Sequence, residues 1–462
     1  MVRNMGLAAK KRTPAKTNPL QWQIAENRMA WRGFVMARSR STAYGNVTGA
    51  SRGGTASGRT RTRSQAAGGA GAQAGRIDGT YGSGRDGSSY RTSARPAKAT
   101  GKARPATGKS GKSSKSGKSK SRKNAAPDHR YRNRLLGLLS ALFALAALIG
   151  TTARALPGDL QELPYVPIVV SATPWFALLA LIALLLAIVS HRVLAALLAV
   201  AAIGLNGYWQ YPFFYSPNPL PQAALNAVAA SEANTEDAFA RVMTLNVYKG
   251  QADPQAIVDL VSDQRVEVLA LQETTDDFVK RLKQAGIEHY LPYSQVSSSD
   301  GVYGNGLWSA TPLADPVDDE VNSSASFMPG GTVDLGGYRI RFVSVHTTAP
   351  VPGYWRQWKR SLDELGLMRE HTDTRYIFMG DFNATYDHTP FRDFLGTRFQ
   401  DAAYASGHGF TFSWPTNRPW VPMFAGIDHV VLDQGMRAGQ GKVVQVEGSD
   451  HAALLMTVDV MQ

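Results

Sequence analysis

The apolar run Tyr376-Ile377-Phe378 leads directly into Met379-Gly380-Asp381-Phe382-Asn383-Ala384-Thr385. As a buried strand it delivers Asp381 and Asn383 to one face, because side chains alternate along a strand with a period of two. A carboxylate beside a carboxamide is the pair needed to aim a water at phosphorus. The first orients and deprotonates the nucleophile, and the second donates to a non-bridging oxygen. The same residues suit an ordinary strand closing in an Asx turn, so the segment takes its meaning from the company it keeps.

That company is ordered along the chain. The run from Arg241 ends at Asn246, the Val- and Leu-rich run from Val266 ends at Gln272-Glu273, and Phe342 to Val345 ends at His346. Gly426-Ile427-Asp428-His429-Val430 begins a further strand, and Gly448-Ser449-Asp450-His451 opens the last. Each residue alone has a plain duty: a strand-end cap for Asn246, a helix N-terminal charge for Glu273, a satisfied histidine for His346, a turn former for Asp428. Chance supplies one such residue readily, but not the whole ordered set.

The set Asn246, Gln272-Glu273, His346, Gly380-Asp381-Phe382-Asn383, Ile427-Asp428-His429 and Ser449-Asp450-His451 resembles the endonuclease/exonuclease/phosphatase superfamily, over about Ala238 to Val460. Between these motifs, Gly304-Asn305-Gly306-Leu307-Trp308-Ser309-Ala310-Thr311-Pro312-Leu313 resembles the family's central strand and Pro turn. The resemblance implies an α/β fold, a two-layer β-sandwich flanked by helices (DNase I-like), with the site at one edge. It also implies a phosphoric ester hydrolase dependent on a divalent metal, Mg²⁺ or Mn²⁺. Glu273 would ligate the metal, with Asn246 and Asp450 completing or supporting that site. Asp381 would orient and deprotonate the water, and Asn383 would hold a phosphate oxygen. His451, oriented by Asp428, would polarise or bridge to the phosphoryl group. His346 would donate to phosphate or protonate the leaving oxygen.

The elements around this site divide by charge. Residues 1–134 carry 30 Lys and Arg against 4 acids, a net of +26, whereas the remainder carries 20 against 32, a net of −12. Rich in Gly, Ser and basic residues, the first segment reads as a disordered tail that cannot bury enough apolar area to offset chain entropy. Residues 135–211 then hold three uncharged or nearly uncharged apolar runs, Leu135 to Thr152, Tyr165 to Ser190 and Val193 to Trp209, each of a length that matches a bilayer core. Trp175, Tyr208, Trp209 and Tyr211 fall near their ends, as interfacial aromatics do. Arg130, Arg132 and Arg134 before the first span and Arg192 between the second and third put those loops in the cytoplasm. With 212–237 as a linker, the domain 238–462 then lies outside it, on a multi-pass cell-membrane anchor. The absence of cysteine leaves that domain to be held by its core alone.

Three spans followed by such a domain resemble VanJ-type membrane-anchored proteins, and this likeness implies a lipid-linked pyrophosphate of the envelope as substrate. The alternatives are a membrane-tethered nuclease acting on DNA or RNA, which the net charge of −12 over residues 135–462 disfavours, and a domain that only binds. The loop Pro350 to Trp358, with Tyr354, Trp355 and Trp358, suits either an apolar lip for a lipid or packing on the sandwich, the second being favoured.

Overall fold

In this computed structural model the residues described are 129–229 and 234–461. The basic tail lies outside them as far as residue 128. Helix α1 (His129–Ala153) begins before Leu135, so the boundary drawn after residue 134 falls inside an element. With α2 (Thr173–Ser190) and α3 (Val193–Gln210), it gives three helices long and apolar enough to cross a membrane: Asn133–Ala153, Thr173–Ser190 and Val193–Phe214. Their contact faces are small, with Ala144, Ala183, Ala187, Ala195 and Ala199 buried, while Leu178, Leu185, Ile188 and Leu197 point outward. Helices in lipid pack this way, since close backbone approach replaces the hydrophobic drive available in water.

The second span corrects the sequence reading. It begins at Thr173, not Tyr165, because short helices Gly158–Gln161 and Val166–Ser171 occupy the stretch before it. Pro167 and Pro174 each stand in the first turn of a helix, where the missing amide hydrogen costs nothing. Each proline thus starts a helix of its own.

The domain beyond is built from two six-stranded sheets. One contains β1 (Phe239–Asn246), β2 (Val268–Gln272), β3 (Tyr293–Ser297), β4 (Asn305–Ser309), β11 (Arg437–Gln445) and β12 (Ala452–Asp459), in the order β11-β12-β1-β2-β4-β3. The other contains β5 (Ala314–Val317), β6 (Gly330–Leu335), β7 (Tyr338–His346), β8 (Tyr376–Asp381), β9 (Phe399–Asp401) and β10 (Asp428–Asp433), in the order β5-β6-β7-β8-β10-β9. Between the sheets pack Val242, Ala270, Phe342, Ile377, Met379, Val430 and Met456. The opposite faces bury Met243, Leu245 and Leu269 with helix α4 (Pro254–Gln264), and Val343, Val345 and Phe378 with α5 (Trp355–Gly366). Central strands covered on both faces read as unbroken apolar runs, which is why the strand ends stand out in the sequence.

Register completes the alignment. β1 and β2 run parallel with Asn246 opposite Gln272; β7 and β8 run parallel with His346 opposite Asp381. β10 runs antiparallel to β8, so that Asp428, its first residue, meets Asp381, the last residue of β8. Five strand termini thereby share one edge of the sandwich.

One core acid lies apart from this edge. Glu267 is 5% exposed with Oε2 unpartnered, and burial followed by the charge of Asp237 pushes its carboxyl from 4.5 up to about 8. Between those values the folded chain keeps a proton that the unfolded chain has released, so stability must fall as pH rises through that window. We expect the melting temperature of the detergent-solubilised protein to decline from about pH 5 to pH 8, and the decline to flatten in Glu267→Gln; equal slopes for both proteins would contradict this.

Candidate active site

Asn246, at the end of β1, does two jobs at once. Its Oδ1 accepts from the Tyr248 amide at 2.9 Å, an Asx turn, while Nδ2 donates to Glu273 Oε1 at 3.2 Å and to Asp381 Oδ2 at 3.1 Å. Cap and site residue are therefore the same residue. Glu273 follows β2 with a left-handed φ of 59°, and the Lys249 amide holds its Oε2 at 2.8 Å. An L-residue persists in that conformation only where its surroundings over-determine it.

Across the cleft between sheets, Asp381 is 1% exposed. Its Oδ1 accepts from the Asn383 amide at 2.8 Å, and its Oδ2 faces His346 Nε2 and His451 Nε2, each at 3.7 Å. Burial, with Asp428 adding to it against the two histidines and the Asn383 amide, holds the Asp381 carboxyl above its ordinary range. The glycine before it is required: a Cβ on Gly380 would sit 1.9 Å from the Val345 carbonyl oxygen, so only glycine lets β8 approach β7 here.

Asn383, expected to hold a phosphate oxygen, has its amide nitrogen engaged within the protein. Nδ2 donates to Thr347 O at 3.0 Å and to Asp381 Oδ2 at 3.2 Å, which uses both of its hydrogens. As it stands, Asn383 steadies Asp381, and it must release one bond to reach a phosphate oxygen.

His451 Nδ1 lies 2.8 Å from Asp428 Oδ2, and Nε2 faces Asp381. With a carboxylate at each ring nitrogen, the imidazole holds both protons. Burial opposes the charge, but Asp428 and Asp381 outweigh it and raise the group to about 10. His346 Nε2 lies 4.0 Å from Glu273 Oε1; among the described residues its Nδ1 and Asp428 Oδ1 are buried without partners. Asp450 is raised by burial first and, against His451, by the charges of Glu273 and Asp428.

All eight residues singled out from the sequence thus meet at one edge. Asp381, Asp428 and His451 each place a ligating atom within 4.8 Å of the others, a buried group able to hold a metal ion. The doubly protonated imidazole is the weak member of that trio. Asp450 feels the charges of both Glu273 and Asp428, and one oxygen of Asp428 is unpartnered; carboxylate oxygens of this kind are the hard donors a divalent cation takes.

Other residues carried no such signal. Gln272, quoted beside Glu273, points behind the site, accepting from Thr244 Oγ1 and donating to Ser344 Oγ at 3.1 Å, so it ties the two sheets together. His429 faces away from Asp428, as strand alternation requires. Its ring meets Asp401 Oδ2 at 2.7 Å and Ala384 O at 2.8 Å, and those two acceptors make it an imidazolium bracing the loop that leaves Asn383. Trp358 is wholly buried and donates to Asn383 O at 2.9 Å, while Trp355 packs on Tyr165 with ring centroids 5.5 Å apart. Trp355 and Trp358 thus turn inward from α5, whereas residues 351–354 of the loop before it are exposed.

The same loop is held from the helices. Arg154, just past α1, pairs through Nε with Asp387 Oδ1, and Gln210, the last residue of α3, donates to both Asp387 oxygens at 3.0 and 3.1 Å. His388 accepts the Thr385 amide at Nδ1 and donates from Nε2 to Pro167 O at 2.9 Å, ahead of α2. This neutral tautomer agrees with a pKa lowered by burial to about 4. Asp387 and Arg154 are 3% and 8% exposed, so Arg154→Ala strands a buried carboxylate. We expect a loss on the order of 3–5 kcal/mol, read as a drop in thermal stability that Asp387→Asn in the same chain partly restores.

The Endonuclease/Exonuclease/phosphatase family model matches residues 243–451. No curated protein matches the chain. Among solved structures, truncated Caenorhabditis elegans TDP2 is similar at 16% identity and a TM-score of 0.40, over 48% of this chain and 98% of that one. An endonuclease/exonuclease/phosphatase family protein from Leptotrichia buccalis is 15% identical with a TM-score of 0.38, over 47% of this chain and 99% of that one. Sphingomyelinase C from Streptomyces griseocarneus is 15% identical with a TM-score of 0.36, over 47% and 99%. With its strand-end carboxylates, amides and histidines gathered between two sheets, the region 243–451 belongs to the endonuclease/exonuclease/phosphatase family, whose members are generally hydrolases of phosphoesters.

Proposed function

We propose that the chain is a membrane-anchored phosphoesterase dependent on a divalent cation, Mg²⁺ first, that hydrolyses a lipid-linked phosphoester or pyrophosphate outside the cytoplasm. The observation that carries this reading is the grip on Asp387 and His388. Residues bordering all three spanning helices bind the loop that leaves Asn383, which supports a strand-end edge lying beside the bilayer boundary. Orientation rests on Arg130, Arg132, Arg134 and Arg192.

Glu273 and Asp450, with Asn246 supporting, would hold the cation, which when bound supplies Lewis-acid stabilisation of charge on the phosphoryl oxygens. Asp381, buried and raised, takes the proton from the attacking water. Asn246 and Asn383 fix its rotamer. His451, kept cationic by Asp428, aims Nε2–H at a non-bridging oxygen. His346 gives its Nε2 proton to the leaving oxygen.

The test is a substrate panel on the full chain in proteoliposomes with Mg²⁺: a prenyl pyrophosphate, sphingomyelin and DNA. Phosphate release from the prenyl pyrophosphate is expected. Cleavage of DNA alone would overturn the lipid reading and favour the nuclease. Sidedness is read separately. The chain has no cysteine, so Asp334→Cys, an exposed position of β6 at the far end of the sheet, should label with a membrane-impermeant maleimide on intact cells; protection until lysis would reverse the orientation.

A further inference from the structure

The loop between Trp414 and Phe424 is used neither by the chemistry nor by the grip on Asp387. Its residues Asn417 to Pro422 are all exposed, and Trp420 at 95% leaves nearly its entire indole uncovered, with Val421 beside it at 39%. Single exposed apolar residues are ordinary. This one differs in where its loop is rooted.

One root is at the membrane helices. Trp175 is the third residue of α2, at the interfacial end of a span. Its Nε1 donates to Phe424 O at 2.9 Å, and its ring stacks on Phe412 with centroids 5.5 Å apart. Phe424 therefore sits at the level where a spanning helix begins. Trp420 is four residues upstream, at most ~14 Å of extended chain, a reach that exceeds the roughly 5–7 Å depth of one headgroup layer. The other root is at the site: the Thr416 amide donates to Asp450 O at 2.9 Å and Thr416 Oγ1 to Ser449 O at 2.7 Å. Pro415, Pro419 and Pro422 restrict the loop's backbone, so little freedom is lost when its tip is held. Arg418 adds a cation suited to lipid phosphate.

We propose that this loop is a lipid-contacting element, with Trp420 and Val421 seated in the headgroup layer immediately beside Asp450 and His451. Indole prefers that layer, where its apolar body and its N–H are both accommodated. The loop joins the bilayer to the metal side of the cleft and guides a lipid headgroup toward it. The proposal requires the three helices to span a bilayer and does not depend on which phosphoester is cut.

The test uses the full chain in vesicles of phosphatidylcholine and phosphatidylglycerol. Val421→Cys becomes the sole cysteine and is labelled with an environment-sensitive fluorophore; Asp334→Cys, exposed on β6 at the end remote from the strand-end edge, is the control. The proposal expects blue-shifted emission at Val421→Cys and quenching by headgroup-level nitroxide lipid well above that of Asp334→Cys. Quenching no greater than the control overturns it. Trp420→Ser should lower kcat/KM about tenfold on a bilayer-embedded substrate, the scale of one lost aromatic contact, and by less than about twofold on a short-chain, water-soluble analogue. An equal loss on both substrates also overturns it. If the wild type hydrolyses neither, the function proposed above fails, and the quenching comparison still decides this inference.

Discussion

Asp381→Asn should lower turnover by about three orders of magnitude, the middle of what one proton-transfer group contributes, while substrate still binds. The amide is neutral and a poor base, so proton removal stops, whereas the cation that Glu273 and Asp450 would hold and the imidazolium of His451 remain to bind the ground state. Some stability is also lost. Oδ2 of Asp381 accepts from Asn246 Nδ2 and Asn383 Nδ2, and an amide there either sets donor against donor or gives up the Asn383 backbone bond, about 1–3 kcal/mol. Turnover, substrate binding and a thermal melt on the same preparation separate the two effects. Activity within tenfold of wild type would sink the assignment of Asp381 as base. His451 is then a poor replacement, since it stands between two carboxylates and keeps both protons at neutral pH.

Glu273→Gln removes a charged hard ligand while preserving length and the hydrogen bond from Lys249. A bound cation is worth several kcal/mol of transition-state charge, so turnover should fall on the order of a thousandfold. The fold should persist, because Glu273 follows β2 outside the buried strand pairs. Chelation of the wild type with EDTA should give the same phenotype, and Mg²⁺ or Mn²⁺ should reverse it. Chelation without effect, or a Gln variant that turns over normally, would remove the metal from the mechanism.

The candidate site was legible because its residues close strands whose other positions are mostly apolar. Asn246, His346 and Asp381 each interrupt a run that is buried on both faces, and such interruptions are visible without a structure. Register was not visible, yet it is what sets His346 opposite Asp381 and Asp381 opposite Asp428. Nor could the sequence say that Asn383 points both hydrogens inward, since that follows from where Thr347 O falls. The start of the second span was misread because the apolar stretch from Tyr165 runs on without a charge through two helix starts, and only the prolines mark the joints. The pairing of Arg154 with Asp387 joins positions 233 apart in sequence, each in an unremarkable loop. Local pattern carries no information about such a contact.

The grip on Asp387 and His388 also bears on how the proposed substrate would be met. A domain on a slack stalk samples a hemisphere of solution, and its encounters scale with bulk concentration. On the lipid-linked reading proposed above, a strand-end edge held by the spanning helices would meet its substrate by lateral diffusion within a single leaflet. Turnover should then follow the number of substrate molecules per unit area, and adding inert lipid at constant total substrate should slow the reaction as surely as removing substrate.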